Sequence, residues 1–402
     1  MSSPIVQNQQ RTLDRLWRGL RPFVRTDRDL PARIQSALGR KEFGARDRRL
    51  YRELIYTLLR YLPWIEELEA RGDETAIRAV AWLSADTPAT RAYREELVPD
   101  WPPLPATIAE RAAHLGVADE LVPAWFRDHC PAAFVSPNLE ALHARACLWI
   151  RLQTENPDPV FADFAGHGWR WRRSEILSQA CALPGNTPVI SLETYRNGLF
   201  EIQDLGSQLV LASIDVAPGG RWLDACAGAG GKTLQLARLL GADGCVYAHD
   251  IRAAALAELG SRARRARLTN VRLADDPASA GPYDGVLVDA PCSGIGTWRR
   301  EPHLKWSTTP ADVAAQAARQ QKLLAQSAGL VRPGGVLVYA TCSLSRHEND
   351  DVVAAFLSAQ PDFSPVSPAH PFSATVSATG LTILPAQHDT DGFFVATLRR
   401  AP

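Results

Sequence analysis

The chain has no run of about 18 uninterrupted apolar residues, the length a membrane helix needs. Its polar start, Ser2-Ser-Pro-Ile-Val-Gln-Asn-Gln-Gln10, lacks the apolar centre of a secretion signal. Neither a spanning helix nor a signal peptide is therefore expected, and the expected location is cytoplasmic. The seven cysteines (130, 147, 181, 226, 245, 292 and 342) lack paired spacing, and no Cys-x-x-Cys or histidine cluster accompanies them. This argues against a disulfide framework and against zinc, so reduced thiols and no metal are expected. There is no internal repeat and no low-complexity segment. Net charge is also missing, with 44 basic against 44 acidic residues, so any attraction to a polyanion has to be local.

At 402 residues, 46% hydrophobic and 22% charged, the chain has material for two or three soluble domains. Charge is concentrated early: residues 11–60 hold 14 Arg/Lys against six Asp/Glu, including Arg46, Arg48 and Arg49. Such a stretch suits a phosphate backbone through counterion release, or is simply a solvated helix face. Apolar residues recur at three and four positions in Leu13-Leu16-Trp17-Leu20 and from Leu50 to Leu62, predicting a helical bundle over 11–85. The stretch 99–105, with Trp101-Pro-Pro-Leu-Pro, reads as a linker. Two helical runs follow, then strands at Leu148-Trp-Ile-Arg-Leu152 and Phe200-Glu-Ile-Gln203 within a small mixed α/β piece. The expected domains are thus 1–100, helical; 101–200, linker and small α/β subdomain; and 201–402, α/β.

From about residue 204, short apolar strands (221–224, 245–249, 271–273, 284–289, 335–340) alternate with helical patterns (232–240, 252–266, 311–330, 347–359). That alternation predicts a mostly parallel, doubly wound sheet covered on both faces, with 392–398 closing it antiparallel. Ligands of such sheets bind beyond the carboxyl ends of the strands, and the chemistry-bearing residues fall there. Leu223-Asp-Ala-Cys-Ala-Gly-Ala-Gly-Gly-Lys-Thr233 is a glycine turn opening a helix, which brings backbone amides close to a nucleotide-like cofactor. Asp250 ends the next strand about 20 residues further on, where an acid binds ribose hydroxyls. Asp275 follows the third strand, placed to accept from a base amino group. Each aspartate taken alone is more often a helix cap. Gly-Gly-Lys-Thr also imitates a phosphate loop, but the first glycine of that motif would have to stand at Cys226, so NTP hydrolysis is disfavoured.

Two thiols, Cys292 in Asp289-Ala-Pro-Cys-Ser-Gly294 and Cys342 in Tyr339-Ala-Thr-Cys-Ser343, lie downstream of that turn. A thiolate is one of few side-chain groups able to add to carbon 6 of a pyrimidine, which activates carbon 5. Methylation of carbon 5 then requires a base to take its proton before the thiol is eliminated. Two thiols and an acid beside a cofactor turn supply these roles for cytosine methylation. An isolated cysteine is usually a small buried hydrophobe. Cys130, Cys147, Cys181 and Cys245 are read that way, and Cys226 is given no catalytic role.

These segments, with Arg299-Arg-Glu-Pro-His-Leu-Lys-Trp306, Asp391-Gly-Phe-Phe394 and Gln203-Asp-Leu-Gly-Ser-Gln208, resemble in order over roughly 200 residues the Nop/Sun family of S-adenosylmethionine-dependent RNA cytosine-5 methyltransferases. The resemblance implies a Rossmann-like catalytic domain with Cys342 as nucleophile, Cys292 resolving the covalent adduct and Asp289 contacting cytosine. It implies that Cys226, Ala227, Gly228, Ala229, Gly230, Gly231 and Lys232 bind the cofactor along with Asp289, and that Asp250 and Asp275 hold its ribose and adenine. Ala229 departs from the proline often found there. Upstream, 45–60 resembles the NusB-like helical RNA-binding domain of the bacterial 16S rRNA methyltransferase B group, which turns the basic face into an expected RNA surface. The helical domain is shorter than is usual in that group, which bears on the substrate. Arg299, Arg300 and Lys305 are further expected phosphate contacts. The expected substrate is structured RNA, 16S rRNA in the first place, flipped or unstacked at the target base. Transfer RNA and a non-catalytic assembly role are the alternatives, and a monomer without membrane attachment is expected.

Overall fold

The three- and four-residue apolar spacing near the N-terminus folds as helices Pro4–Leu20, Leu30–Leu38, Ala45–Arg60, Leu62–Ala70 and Thr75–Leu83, followed by Arg91–Leu97 and Ile108–Leu115. The computed structural model describes residues 3–72, 74–368 and 372–402. The first helix begins where Ser3 accepts from the Val6 amide and Pro4 occupies a position whose N–H has no intrahelical partner. It buries Leu13, Leu16, Trp17 and Leu20 in one core with Leu54, Leu58, Trp64 and Trp82.

The chain divides into two units, Met1–Arg145 with Trp298–Thr309, and Ala146–Thr297 with Pro310–Pro402. This differs from divisions at 100 and 200. The stretch 99–105 is not a free linker, because the Trp82 indole donates to the Pro102 carbonyl at 2.7 Å and Trp101 stands edge-on to Trp82 at 5.6 Å. A proline-rich segment cannot extend a helix, but its carbonyls still accept.

The late segment Trp298–Thr309 is built into the first unit. Trp298 and Phe126 rings meet at 4.9 Å. The Trp306 indole donates to the Leu59 carbonyl at 2.6 Å and the Lys305 ammonium to that of Arg60 at 2.9 Å. Both are terminal carbonyls of the helix Ala45–Arg60, which has no further turn to satisfy them.

In the second unit, β1 (Leu148–Leu152), β2 (Arg172–Arg173), β3 (Ala180–Leu183) and β4 (Phe200–Ile202) form an antiparallel sheet ordered β2-β3-β1-β4. It is not a separate body: Trp149, Ala180 and Ala182 share a core with Leu209, Leu236 and Leu287. The larger sheet comprises β5 (Gly220–Asp224), β6 (Gly244–Ala248), β7 (Val271–Leu273), β8 (Tyr283–Asp289), β9 (Val331–Thr341), β10 (Phe363–Val366), β11 (Thr375–Val376), β12 (Leu381–Ile383) and β13 (Phe393–Arg400). Its order is β11-β12-β13-β9-β8-β5-β6-β7, with β10 also on β13. Strands β5 to β9 are mutually parallel, and β13 runs antiparallel to β9. Val286, Leu287 and Val288 are all fully buried, as expected of a strand covered on both faces. The parallel order puts the carboxyl ends of β5, β6, β8 and β9 along one edge, and the predicted motifs follow those ends.

Candidate active site

Strand β5 ends at Asp224, and the chain turns through 225–230 into the helix Gly231–Leu240. Gly230 has φ of 90°, and a Cβ there would lie 2.7 Å from Leu259 Cγ, so the turn requires glycine at this position. Asp224 is 1% exposed and accepts from the Thr233 hydroxyl at 2.7 Å. Burial is the main cause that raises its carboxyl to about 7, with the Asp289 charge adding. Burial likewise pushes the Cys226 thiol up to about 12, with Asp224 next in effect, which makes it a neutral wall of the turn.

A cavity of about 530 Å³ opens over these strand ends. Cys226, Ala227, Gly228, Ala229, Gly231, Lys232, Asp250 and Asp289 line it, together with Ile251, Arg319 and Leu323. Gly230 shapes the turn without lining the cavity, and Asp275, exposed just after β7, does not line it either. Asp250 accepts from the Gly228 amide at 2.8 Å and from the Arg252 guanidinium on both oxygens at 3.0 Å. The Arg252 bonds are the largest cause holding its carboxyl at about 2. Arg319 and Leu323 come from the helix Pro310–Ala328, one turn apart on one face. That helix is legible in the sequence, but nothing in its pattern tells which residues overlook the strand ends.

Lys232 and Asp289 form an ion pair at 2.9 Å, and the ammonium also lies 5.0 Å from the centre of the Phe393 ring. Beyond β8, the Cys292 sulfur lies 3.3 Å from that of Cys342, which follows β9. The Cys342 hydrogen bond is the leading cause that raises the Cys292 thiol well above its ordinary value, ahead of burial and of the charges of Cys342 and Glu348. The loop after Cys292 closes on the other strands: Gly296 donates to the Cys342 carbonyl at 2.9 Å and accepts from the Gly392 amide at 2.8 Å. A Cβ at Gly296 would stand 2.1 Å from the Gly392 oxygen. This contact gives Asp391-Gly-Phe-Phe394 a part in the site that its sequence does not reveal.

Two expected phosphate contacts are corrected. Arg299 and Lys305 are each 1% exposed and belong to the first unit. Lys305 satisfies the end of the helix Ala45–Arg60 and also donates to the Leu121 carbonyl at 3.4 Å. Burial, then Arg60, pulls its ammonium well below the ordinary value. Arg299 donates toward the Arg145 carbonyl at 3.5 Å. Arg300, Arg46 and Arg49 are exposed and Arg48 is half-buried. Much of the basic N-terminal charge is matched by acids, as in Arg15–Glu42 at 3.1 Å, Arg21–Glu69 at 2.9 Å and Arg25–Glu66 at 2.7 Å.

The sheet order and its cofactor-type turn define a Rossmann-like methyltransferase fold. Its solved relatives agree at the level of fold: PH0851 superposes with a TM-score of 0.72 at 21% identity, over 95% of this chain and 98% of that one. NSun6 from Pyrococcus horikoshii, crystallised with SFG, gives 0.61 at 18% identity over 69% and 97%. Residues 211–399 match the family model described as 16S rRNA methyltransferase RsmB/F. Ribosomal RNA small subunit methyltransferase B of Xanthomonas campestris pv. campestris is 30% identical over 423 aligned positions, covering 93% of each chain. The chain belongs to the RsmB/F family of rRNA methyltransferases. A probable ribosomal RNA small subunit methyltransferase B from Synechocystis is 38% identical over 237 residues, 56% of this chain and 53% of that one. The match likewise spans about half of several other relatives, 55% of the one from Bacillus subtilis.

Proposed function

We propose that the protein methylates carbon 5 of a cytosine in small-subunit ribosomal RNA, through a covalent adduct on Cys342 and with S-adenosylmethionine as methyl donor. The observation that carries this reading is the pair of thiols 3.3 Å apart at the ends of adjacent parallel strands, beside the Lys232–Asp289 pair. The cavity fits a nucleoside-type cofactor, because its lining combines a glycine turn with its backbone amides, an acid that follows the next strand, and apolar Ile251 and Leu323. Arg252 must yield or share Asp250 for that acid to accept ribose hydroxyls. Asp275, outside the cavity lining, retains the proposed adenine contact only through its position after β7. A relative solved with SFG, an analogue of S-adenosylmethionine, supports the same choice. When bound, the cofactor supplies an electrophilic methyl group.

The chain's own residues then divide the work. The Cys342 thiolate adds to carbon 6 of a cytosine that Asp289 orients, and electron density passes to carbon 5. Two thiols this close do not ionise together, so a proton held on Cys292 leaves Cys342 as the nucleophile. Once the Cys342 sulfur is bonded to carbon 6, the leading cause that keeps Cys292 protonated is gone. Cys292, then more acidic, loses its proton to solvent and as a thiolate takes the carbon 5 proton, and the electron pair of the broken carbon–hydrogen bond expels Cys342 as thiolate. The helical unit, read as NusB-like, presents Arg46 and Arg49 to the RNA backbone, with Arg300 as a further contact.

The test is transfer of labelled methyl from S-adenosylmethionine to total RNA of cells lacking the protein, followed by nuclease digestion and fractionation. Label in 5-methylcytosine of small-subunit rRNA is expected. Label confined to transfer RNA overturns the substrate, and cofactor binding without transfer to any RNA overturns the activity.

A further inference from the structure

Glu348 is fully buried, and among the described residues the donors on its carboxylate are uncharged. Oε1 accepts from the Ser293 amide at 2.8 Å and from the Gln320 amide group at 3.0 Å. Oε2 accepts from the Ser343 hydroxyl at 2.6 Å and from the Ser293 hydroxyl. An anion taken out of water needs such full coordination. The donors are informative by position: Ser293 follows Cys292 and Ser343 follows Cys342, so one carboxylate grips both cysteine loops.

The residues on the other sides of the two cysteines are held by the same neighbourhood. Gln320 also donates to the carbonyl of Pro291, which precedes Cys292, at 2.9 Å. Asn349 accepts from the hydroxyl of Thr341, which precedes Cys342, at 2.7 Å, and donates to the Ser343 carbonyl at 2.9 Å. The turn that carries the acid is itself tied down, since the Tyr339 hydroxyl donates to the Glu348 carbonyl at 2.5 Å. Each cysteine is thus pinned at both flanking residues, and the Glu348 carboxylate bonds to both loops, whose serine hydroxyls also meet at 3.3 Å.

We propose that Glu348 is a positioning residue that sets the separation of the Cys292 and Cys342 sulfurs, by clamping Ser293 and Ser343 on a single buried carboxylate. The proposal rests on the reading of these two thiols as the reacting pair. Handing a proton requirement from one thiol to the other depends on their spacing, and a misplacement of about 1 Å costs on the order of a hundredfold in rate. The hydrogen bonds of the Glu348 carboxylate go to Ser293, Ser343 and Gln320, so its influence is mechanical through the two serines, with a lesser electrostatic effect on Cys292.

Spacing is readable without RNA or cofactor. Phenylarsine oxide captures two close thiols by forming two As–S bonds and releasing water, and Cys292→Ser gives the background from the other cysteines. Wild type is expected to be captured, and Glu348→Ala and Glu348→Gln to lose about tenfold in affinity while retaining cooperative unfolding and binding of S-adenosylhomocysteine. In transfer assays kcat should fall about a hundredfold with KM for S-adenosylmethionine unchanged. If Glu348→Ala does not fold, the near-isosteric Glu348→Gln and Ser343→Ala carry the same measurement. Folded variants that capture the arsenical as wild type does overturn the clamp. A wild type that captures the arsenical yet methylates no RNA overturns the proposed activity and leaves the clamp standing.

Discussion

The two sulfurs make opposite demands on substitution. Cys342→Ala removes the group that adds to carbon 6, and methylation should fall to background. Cys292→Ala leaves addition intact and impairs release, so RNA should accumulate on the protein as a denaturant-resistant complex. A gel shift that survives denaturant in Cys292→Ala, and is absent from the double variant, checks the division of roles; its absence from Cys292→Ala assigns release to another base. Asp224 offers a test that needs no RNA. With the folded carboxyl at about 7 and the unfolded one near 3.8, the native state holds the extra proton between those values. Stability contributed by the neutral acid is complete below the lower value and is lost as pH rises through the upper one, a span worth at most about 4 kcal/mol. Asp224→Asn has no such proton. Its unfolding midpoint should therefore gain on that of wild type as pH rises from about 4 to about 7 and then hold a constant offset. An offset that does not move with pH refutes the raised carboxyl.

Among the elements, Lys305 exemplifies a side chain whose sequence context misleads. Arg299-Arg-Glu-Pro-His-Leu-Lys305 reads as a basic loop after a Pro-Cys motif, yet the ammonium ends up on the last carbonyl of a helix, that of Arg60, some 245 residues earlier in the chain, and on that of Leu121. Lys305→Met keeps the stem's packing and orphans those carbonyls, so the expected cost is about 1–3 kcal/mol of stability, read by denaturant unfolding. Unchanged stability would mean that water reaches the helix end. Strand β8 was legible because a strand buried on both faces is a continuous apolar run bounded by turn residues, whereas β7, with Arg272 and Leu273 exposed, was legible only from its place in the strand–helix alternation. The positions of Cys292 and Cys342 were legible for a related reason, since parallel strands bring their carboxyl ends to one edge whatever lies between them. Which core receives the segment 298–309 was not legible, because apolar spacing identifies a buried face and not the partner that buries it. The Glu348 clamp was invisible for the same reason: Ser343 lies five residues away, but Ser293 lies 55 away and is joined to it only by folding.

At the scale of the molecule, residues 3–145 form an incomplete unit when taken alone. Without Trp298, Lys305 and Trp306, the fragment leaves Phe126, the helix end at Leu59 and Arg60, and the apolar surface around them uncovered. That fragment should unfold at lower temperature and scatter more light than one in which 298–309 is joined to residue 145 through a flexible spacer. Equal unfolding of the two fragments would show that the late segment is only laid against the unit. The same discontinuity sets an order of events during synthesis. When residue 145 leaves the ribosome the helical core still lacks a wall, and the chain must grow through the small sheet and strands β5 to β8 of the larger one before residue 309 emerges. At ordinary elongation rates that interval is on the order of ten seconds or more. The N-terminal unit, although begun first, is therefore finished only after strands β5 to β8 have been made, and throughout that interval its unclosed core is available to chaperones.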